Sequence, residues 1–83
     1  MYTVVVENRV KRDLKQIPPN ILEQLIKEFQ VLGSSPRRRG AKKLSGTDGW
    51  RVRVGNYPIL YFIDERNKLV VIYHIGHRKE VYR

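Results

Sequence analysis

The stretch Trp50-Arg51-Val52-Arg53-Val54-Gly55-Asn56-Tyr57-Pro58-Ile59-Leu60-Tyr61-Phe62-Ile63 decides how this chain folds. Trp50, Val52 and Val54 alternate with Arg51 and Arg53, the two-residue period of a strand with one buried face. Gly55-Asn56 is a turn signal. Tyr57 to Ile63 is apolar on both faces, as a strand in the middle of a sheet is. Downstream, Asp64 to Lys68 reads as a second turn. Leu69 to Ile75 is another near-continuous apolar strand, ended by Gly76. Three strands joined by short turns predict an antiparallel meander.

Upstream of the basic loop, Arg37 to Gly49, Tyr2 to Glu7 is rich in β-branched residues and reads as an opening strand. Val10, Leu14 and Ile17 then recur at helical spacing, and Pro18-Pro19 stops that helix. Asn20 is in position to cap a second helix, with Glu23 three residues on as a capping-box partner. Its apolar face is Ile21, Leu22, Leu25, Ile26, Phe29 and Leu32, and Gly33 followed by Ser34-Ser35-Pro36 closes it. Two helices around a Pro-Pro turn make a hairpin whose apolar stripes need a sheet to cover. The expected class is therefore α+β, a two-layer β-α-α-β-β-β domain spanning residues 1–83 with a short polar C-terminal tail.

Composition narrows the function. The chain has 83 residues and no cysteine, which excludes disulfides and thiolate metal sites. His74 and His77 are too few for a zinc site. No apolar run approaches the roughly 18 residues of a membrane span, and the N-terminus lacks a signal-peptide pattern. The expectation is a cytoplasmic protein with no metal, no cofactor and no membrane association. Seventeen Lys and Arg against eight Asp and Glu give a net charge of +9, which implies a polyanionic partner. The charge is unevenly placed. Arg37, Arg38, Arg39, Lys42, Lys43, Arg51 and Arg53 crowd one segment with Asp48 as its only acid, whereas the first half mixes both signs. Arg37, Arg38, Arg39, Lys42 and Lys43 are the candidate RNA-gripping set.

If Trp50, Val52 and Val54 face the helices, Arg51 and Arg53 face away, on a sheet face expected to be open. Two arginines one pleat apart can fork hydrogen bonds onto successive phosphodiester oxygens, although a solvated sheet face needs polar residues in any case. The tail adds His77, Arg78 and Tyr82. Arginine to neutralise a phosphorane, an acid and a base, and an aromatic ring to stack a nucleobase are what metal-free RNA cleavage requires, although a lone terminal tyrosine more often packs.

At this point the chain resembles a known family. Lys43-Leu44-Ser45-Gly46, Trp50-Arg51-Val52-Arg53-Val54-Gly55-Asn56-Tyr57, Ile59-Leu60-Tyr61, and Ile75-Gly76-His77-Arg78 with Val81-Tyr82-Arg83 together are similar to RelE-type toxins of the RelE/ParE superfamily. The resemblance spans the second half in order; the first half shares only the strand–helix–helix plan and Ser35-Pro36. It implies a toxin of a toxin–antitoxin pair, a ribosome-dependent endoribonuclease that cuts messenger RNA in the A site by 2′-OH attack, inhibited by an acidic antitoxin. Arg51 and Arg53 then match the basic pair that steadies the phosphate. Arg78 matches the C-terminal arginine that stabilises charge or protonates the leaving group. Tyr82 matches the terminal tyrosine that stacks or orients the cleaved nucleotide. His77 has no settled role in the pattern but titrates near neutrality, as an acid or base must. One position departs: Pro58 stands where these nucleases carry an arginine. Two other classes stay open, a ParE-type inhibitor of DNA gyrase and a non-enzymatic RNA or ribosome binder.

Overall fold

A computed structural model describes residues 1–76. The elements are β1 (Thr3–Val6), α1 (Asn8–Leu14), α2 (Pro19–Ser34), β2 (Lys42–Lys43), β3 (Gly49–Val54), β4 (Tyr57–Asp64) and β5 (Leu69–Ile75). They form one five-stranded sheet of order β1-β5-β4-β3-β2 with both helices on one face. The α+β expectation and the antiparallel β3-β4-β5 meander are borne out. β1 lies parallel to β5, pairing Thr3 with Leu69 through Val6 with Ile72. Connectivity explains this. α2 brings the chain back beside the start of β1, where the Tyr2 amide donates to the Gly33 carbonyl; residues 35–41 then cross to β2 at the opposite edge, and the meander walks back to β1.

The core lies between the layers. Val10, Leu25, Phe29 and Leu32 from the helices meet Val52, Val54, Ile59, Tyr61, Val70, Ile72 and Ile75 from the sheet. Ile17 lies beyond the last residue of α1, in the turn, yet packs against the same cluster. No helix among the described residues is long and apolar enough to cross a membrane.

Three local expectations are corrected. Asn20 does not cap α2, which begins at Pro19 behind Pro18 with no side-chain cap. A proline at the first helical position has no N–H to satisfy, and the Pro18 carbonyl accepts from the Ile21 and Leu22 amides at 3.0 and 2.9 Å. Glu23 instead pairs with Lys27 one turn on. Gly33 does not end the helix, which continues through Ser34. Its role is close approach: a Cβ there would stand 3.2 Å from the Tyr2 carbonyl oxygen and 3.3 Å from the Val4 side chain. The Gly33 carbonyl accepts from the Tyr2 amide at 2.8 Å, which docks the helix end onto the start of the chain. Finally, Lys42–Lys43 is an edge strand rather than loop, paired to Arg51 and Trp50. Two lysines carry no apolar alternation, so only the neighbouring strand reveals them as sheet.

Candidate functional site

Directly opposed residues of neighbouring strands share a face of the sheet. The register therefore lays Lys42, Arg51, Leu60 and His74 in one row, and Arg53 beside Pro58 in the next, on the face away from the helices. Val52 and Val54 are buried in the core, so Arg51 and Arg53 point the other way, as their alternation predicted. Arg51 is half-buried and Arg53 exposed. The face is not open throughout. Leu60 and Pro58 are fully buried at its middle, between Arg51 and His74 and beside Arg53, while Phe62 remains 37% exposed.

Pro58 sits in β4 without breaking the ladder to β3. Its carbonyl accepts from the Gly76 amide at 3.1 Å, so this residue's backbone polar groups face β5 rather than β3. The N–H that proline lacks would have faced Gly76, the residue just after β5. A proline at this position offers no polar side chain to the face and leaves the β3–β4 pairing whole.

The basic loop divides. Arg37 reaches Glu65 at 2.7 Å and lies 5.7 Å over the Trp50 ring. Arg38 makes two contacts to Glu28, at 2.6 and 3.2 Å, and also donates to the Arg39 carbonyl. Glu28 belongs to α2, and Trp50 is on the core side of β3, so Arg37 and Arg38 lie on the helix side, across the sheet from Arg51 and Arg53. Glu65 is the hub of that side. It accepts from the Tyr2 hydroxyl at 2.7 Å and also pairs with Lys68 at 3.4 Å. The Tyr2 hydrogen bond first, and the Arg37 hydrogen bond next, hold its carboxyl down at about 2. Arg39, Lys42 and Lys43 are exposed, and Lys43 donates to the Thr47 carbonyl at 3.0 Å. Of the expected RNA-gripping residues, Lys42 is thus the one that shares a row with Arg51. His77, Arg78 and Tyr82 lie outside the described residues.

A feature that sequence reading missed adjoins the arginine row. A register shift opposite Leu60–Tyr61 leaves Tyr73 as an extra residue of β5. Its hydroxyl crosses the sheet to Gly49, where a Cβ would stand only 2.6 Å away. The Tyr73 ring lies 6.0 Å from the Phe62 ring, tilted by 35°. Burial pushes the Tyr73 hydroxyl above its ordinary value. With Glu7, Arg9, Asp48 and Gly49 these rings line a groove of about 490 Å³. Tyr73 reads as one more apolar position in β5, and only the strand irregularity places its ring beside Phe62.

With this geometry in place, known proteins give a consistent answer. Residues 4–82 match the family described as ParE toxin of type II toxin–antitoxin system, parDE. This chain belongs to the RelE/ParE superfamily of type II toxins. Toxin RelG of Mycobacterium tuberculosis is 37% identical over 86 residues, covering 99% of this chain and 97% of the relative. The toxin–antitoxin complex RelBE2 of Mycobacterium tuberculosis contains a chain 34% identical, at a TM-score of 0.82, covering 93% of this chain and 98% of the other. The RelE–RelB complex of Pyrococcus horikoshii contains one 25% identical at a TM-score of 0.84, covering 94% and 96%. The chain is a RelE-family toxin with the full strand–helix–helix–meander plan of these relatives.

Proposed function

We propose that this toxin is a ribosome-dependent endoribonuclease that cuts messenger RNA in the A site and so inhibits translation in the cytoplasm. The observation that carries this reading is the row on the helix-free face: Arg51 and Arg53 one pleat apart on β3, with Lys42 paired to Arg51. In the proposed reaction a nucleotide's 2′-OH gives up its proton and attacks the adjacent phosphorus. The O2′–P bond forms as the P–O5′ bond breaks, leaving a cyclic phosphate and a 5′-hydroxyl that takes a proton. Arg51 and Arg53 hold the non-bridging oxygens, where charge grows in the transition state. By their match to the family pattern, Arg78 stabilises or protonates the leaving oxygen and Tyr82 stacks or orients the nucleotide. His77 is a further acid–base candidate.

The relatives of Mycobacterium tuberculosis and Pyrococcus horikoshii are complexes of toxin with antitoxin. For this chain the matching partner is an acidic antitoxin segment that folds as it binds and screens the Arg51–Arg53 face or the tail. The family description also names parDE, so inhibition of DNA gyrase is the second reading. The test is primer extension on a ribosome-bound message with the purified toxin, alongside a gyrase supercoiling assay. Cuts confined to the A site, lost in Arg51→Ala, support the nuclease. Intact message with arrested supercoiling supports the gyrase reading. Ribosome binding without either supports a non-enzymatic binder.

A further inference from the structure

Strands β3 and β5 carry the two halves of the proposed site, and β4 lies between them. Arg51 and Arg53 stand on β3. β5 ends at Ile75, and Gly76 then leads into the family-matched His77, Arg78 and Tyr82, which lie outside the described residues. The helices pack against these strands on one face only. On the other face, side chains alone can tie one strand to the next.

Tyr73 is placed to do so. It is the extra residue at the irregularity of β5, so no residue of β4 stands opposite it. Arg9 of α1 donates to its carbonyl at 3.3 Å, which steadies the root of the side chain. From there the ring passes beside Phe62, with centroids 6.0 Å apart and planes tilted by 35°. Its hydroxyl ends over Gly49, at the start of β3. β3 and β5 are two strand spacings apart, about 10 Å. A tyrosine covers that span only where the far residue has no side chain. A Cβ on Gly49 would stand 2.6 Å from the Tyr73 oxygen, closer than a real Cβ comes.

Gly49 is also the base of the β2–β3 hairpin. Its carbonyl accepts from the Leu44 amide and its amide donates to the Thr47 hydroxyl oxygen, each at 2.9 Å. β2 is an edge strand of two residues, too short to fix its own position, yet its register sets Lys42 beside Arg51. Whatever holds Gly49 therefore holds the row.

We infer that Tyr73 is a positioning residue of the proposed nuclease, its ring a tie laid across β4 that fixes the Lys42–Arg51 row at a set distance from the end of β5. The inference rests on the nuclease reading for its place in the reaction, because donors to a transition state must be held to a fraction of an ångström. The tie itself does not require cleavage.

Two measurements on the full chain test it. The first is single-turnover cleavage of ribosome-bound message, expressed per folded molecule. The second is amide hydrogen exchange. Tyr73→Ala should cut about tenfold more slowly at saturating toxin, with ribosome affinity unchanged. Gly49→Ala should do the same by pushing the ring aside. Tyr73→Phe removes the atom that clashes, so it should cut nearly as the wild type does and restore most of the rate when combined with Gly49→Ala. Tyr61→Phe, a control that loses a hydrogen bond on the helix side, should keep its rate. In Tyr73→Ala the Leu44 amide should exchange faster, while the Thr3 and Glu7 amides, bonded to the Lys68 and Ile72 carbonyls, should not. If Gly49→Ala does not fold, the comparison of Tyr73→Ala with Tyr73→Phe decides by itself. Unchanged exchange at Leu44 overturns the inference. So does faster exchange with an unchanged cutting rate, which makes the ring a structural prop alone. If the wild type cuts no message but Leu44 exchange still rises in Tyr73→Ala, the nuclease reading falls and the tie stands.

Discussion

The hydroxyl of Tyr61 donates to the carbonyl of Pro36 at 2.6 Å, joining the centre of the sheet to the point where α2 gives way to the basic loop. Tyr61 is fully buried, and burial pushes its hydroxyl up to about 12. The bond thus satisfies a carbonyl and a hydroxyl that are both cut off from water, and it sets where Arg37 and Arg38 begin.

Tyr61→Phe leaves the Pro36 carbonyl without its partner and is expected to cost about 1–3 kcal/mol, measured by urea unfolding at pH 7. Alkali adds a second readout. A hydroxyl raised in the fold contributes stability that is whole below its ordinary value of 10 and lost as pH rises toward 12. Over that window the wild type should lose its advantage over Tyr61→Phe. A gap that stays constant to pH 12 would show that the buried hydroxyl does not titrate as its surroundings require.

Glu65 provides the acid counterpart. Its carboxyl is lowered from an ordinary 4.5 to about 2 by Tyr2 first and Arg37 next. A lowered carboxylate stabilises the fold above 4.5 and loses that contribution as pH falls to about 2. Glu65→Gln should therefore melt below the wild type at pH 7, with the two converging between pH 4.5 and 2. Parallel melting temperatures across that range would remove Glu65 as the hub of the Tyr2–Arg37–Lys68 cluster.

Arg51→Ala and Arg37→Ala should separate sharply. Under the proposed mechanism Arg51→Ala lowers message cleavage about a hundredfold, the scale of one transition-state donor, while leaving the melting temperature within a few degrees. Arg37 is paired with Glu65 and stacked over Trp50 on the other side of the sheet. Its removal should cost about 1 kcal/mol of stability and change cleavage per folded molecule little. Single-turnover cleavage and thermal melting of the same preparations decide this. Similar losses of cleavage in both would mean that the two faces act on RNA together.

Pro58→Arg introduces the side chain that the family pattern leads one to expect at this position. Because the backbone groups of residue 58 face β5, the β3–β4 ladder is unchanged by the swap. The new guanidinium stands directly across from Arg53, and the expected outcome is faster cleavage of ribosome-bound message at equal folded concentration. A folded variant that cuts no faster would show that charge at this position is not what the reaction lacks.

The alternation at Trp50 to Val54 was enough to orient Arg51 and Arg53, because a strand has only two faces and three large apolar residues claim one of them. The helical hairpin and the meander were legible for the same reason: local periodicity decides which side of an element must be buried. Tertiary structure decided the rest. The parallel pairing of β1 with β5 follows from the crossing of residues 35–41 to the far edge of the sheet and the return of the meander, and nothing within Thr3–Val6 records it. The run Arg37-Arg38-Arg39 reads as one patch of charge, yet Glu28 and Glu65, distant in sequence, draw two of its members to the helix side. Proximity in the chain says which charges are neighbours. It cannot say which face they reach, since a loop has no period, and its side chains are placed by whatever partners the packed elements bring to them.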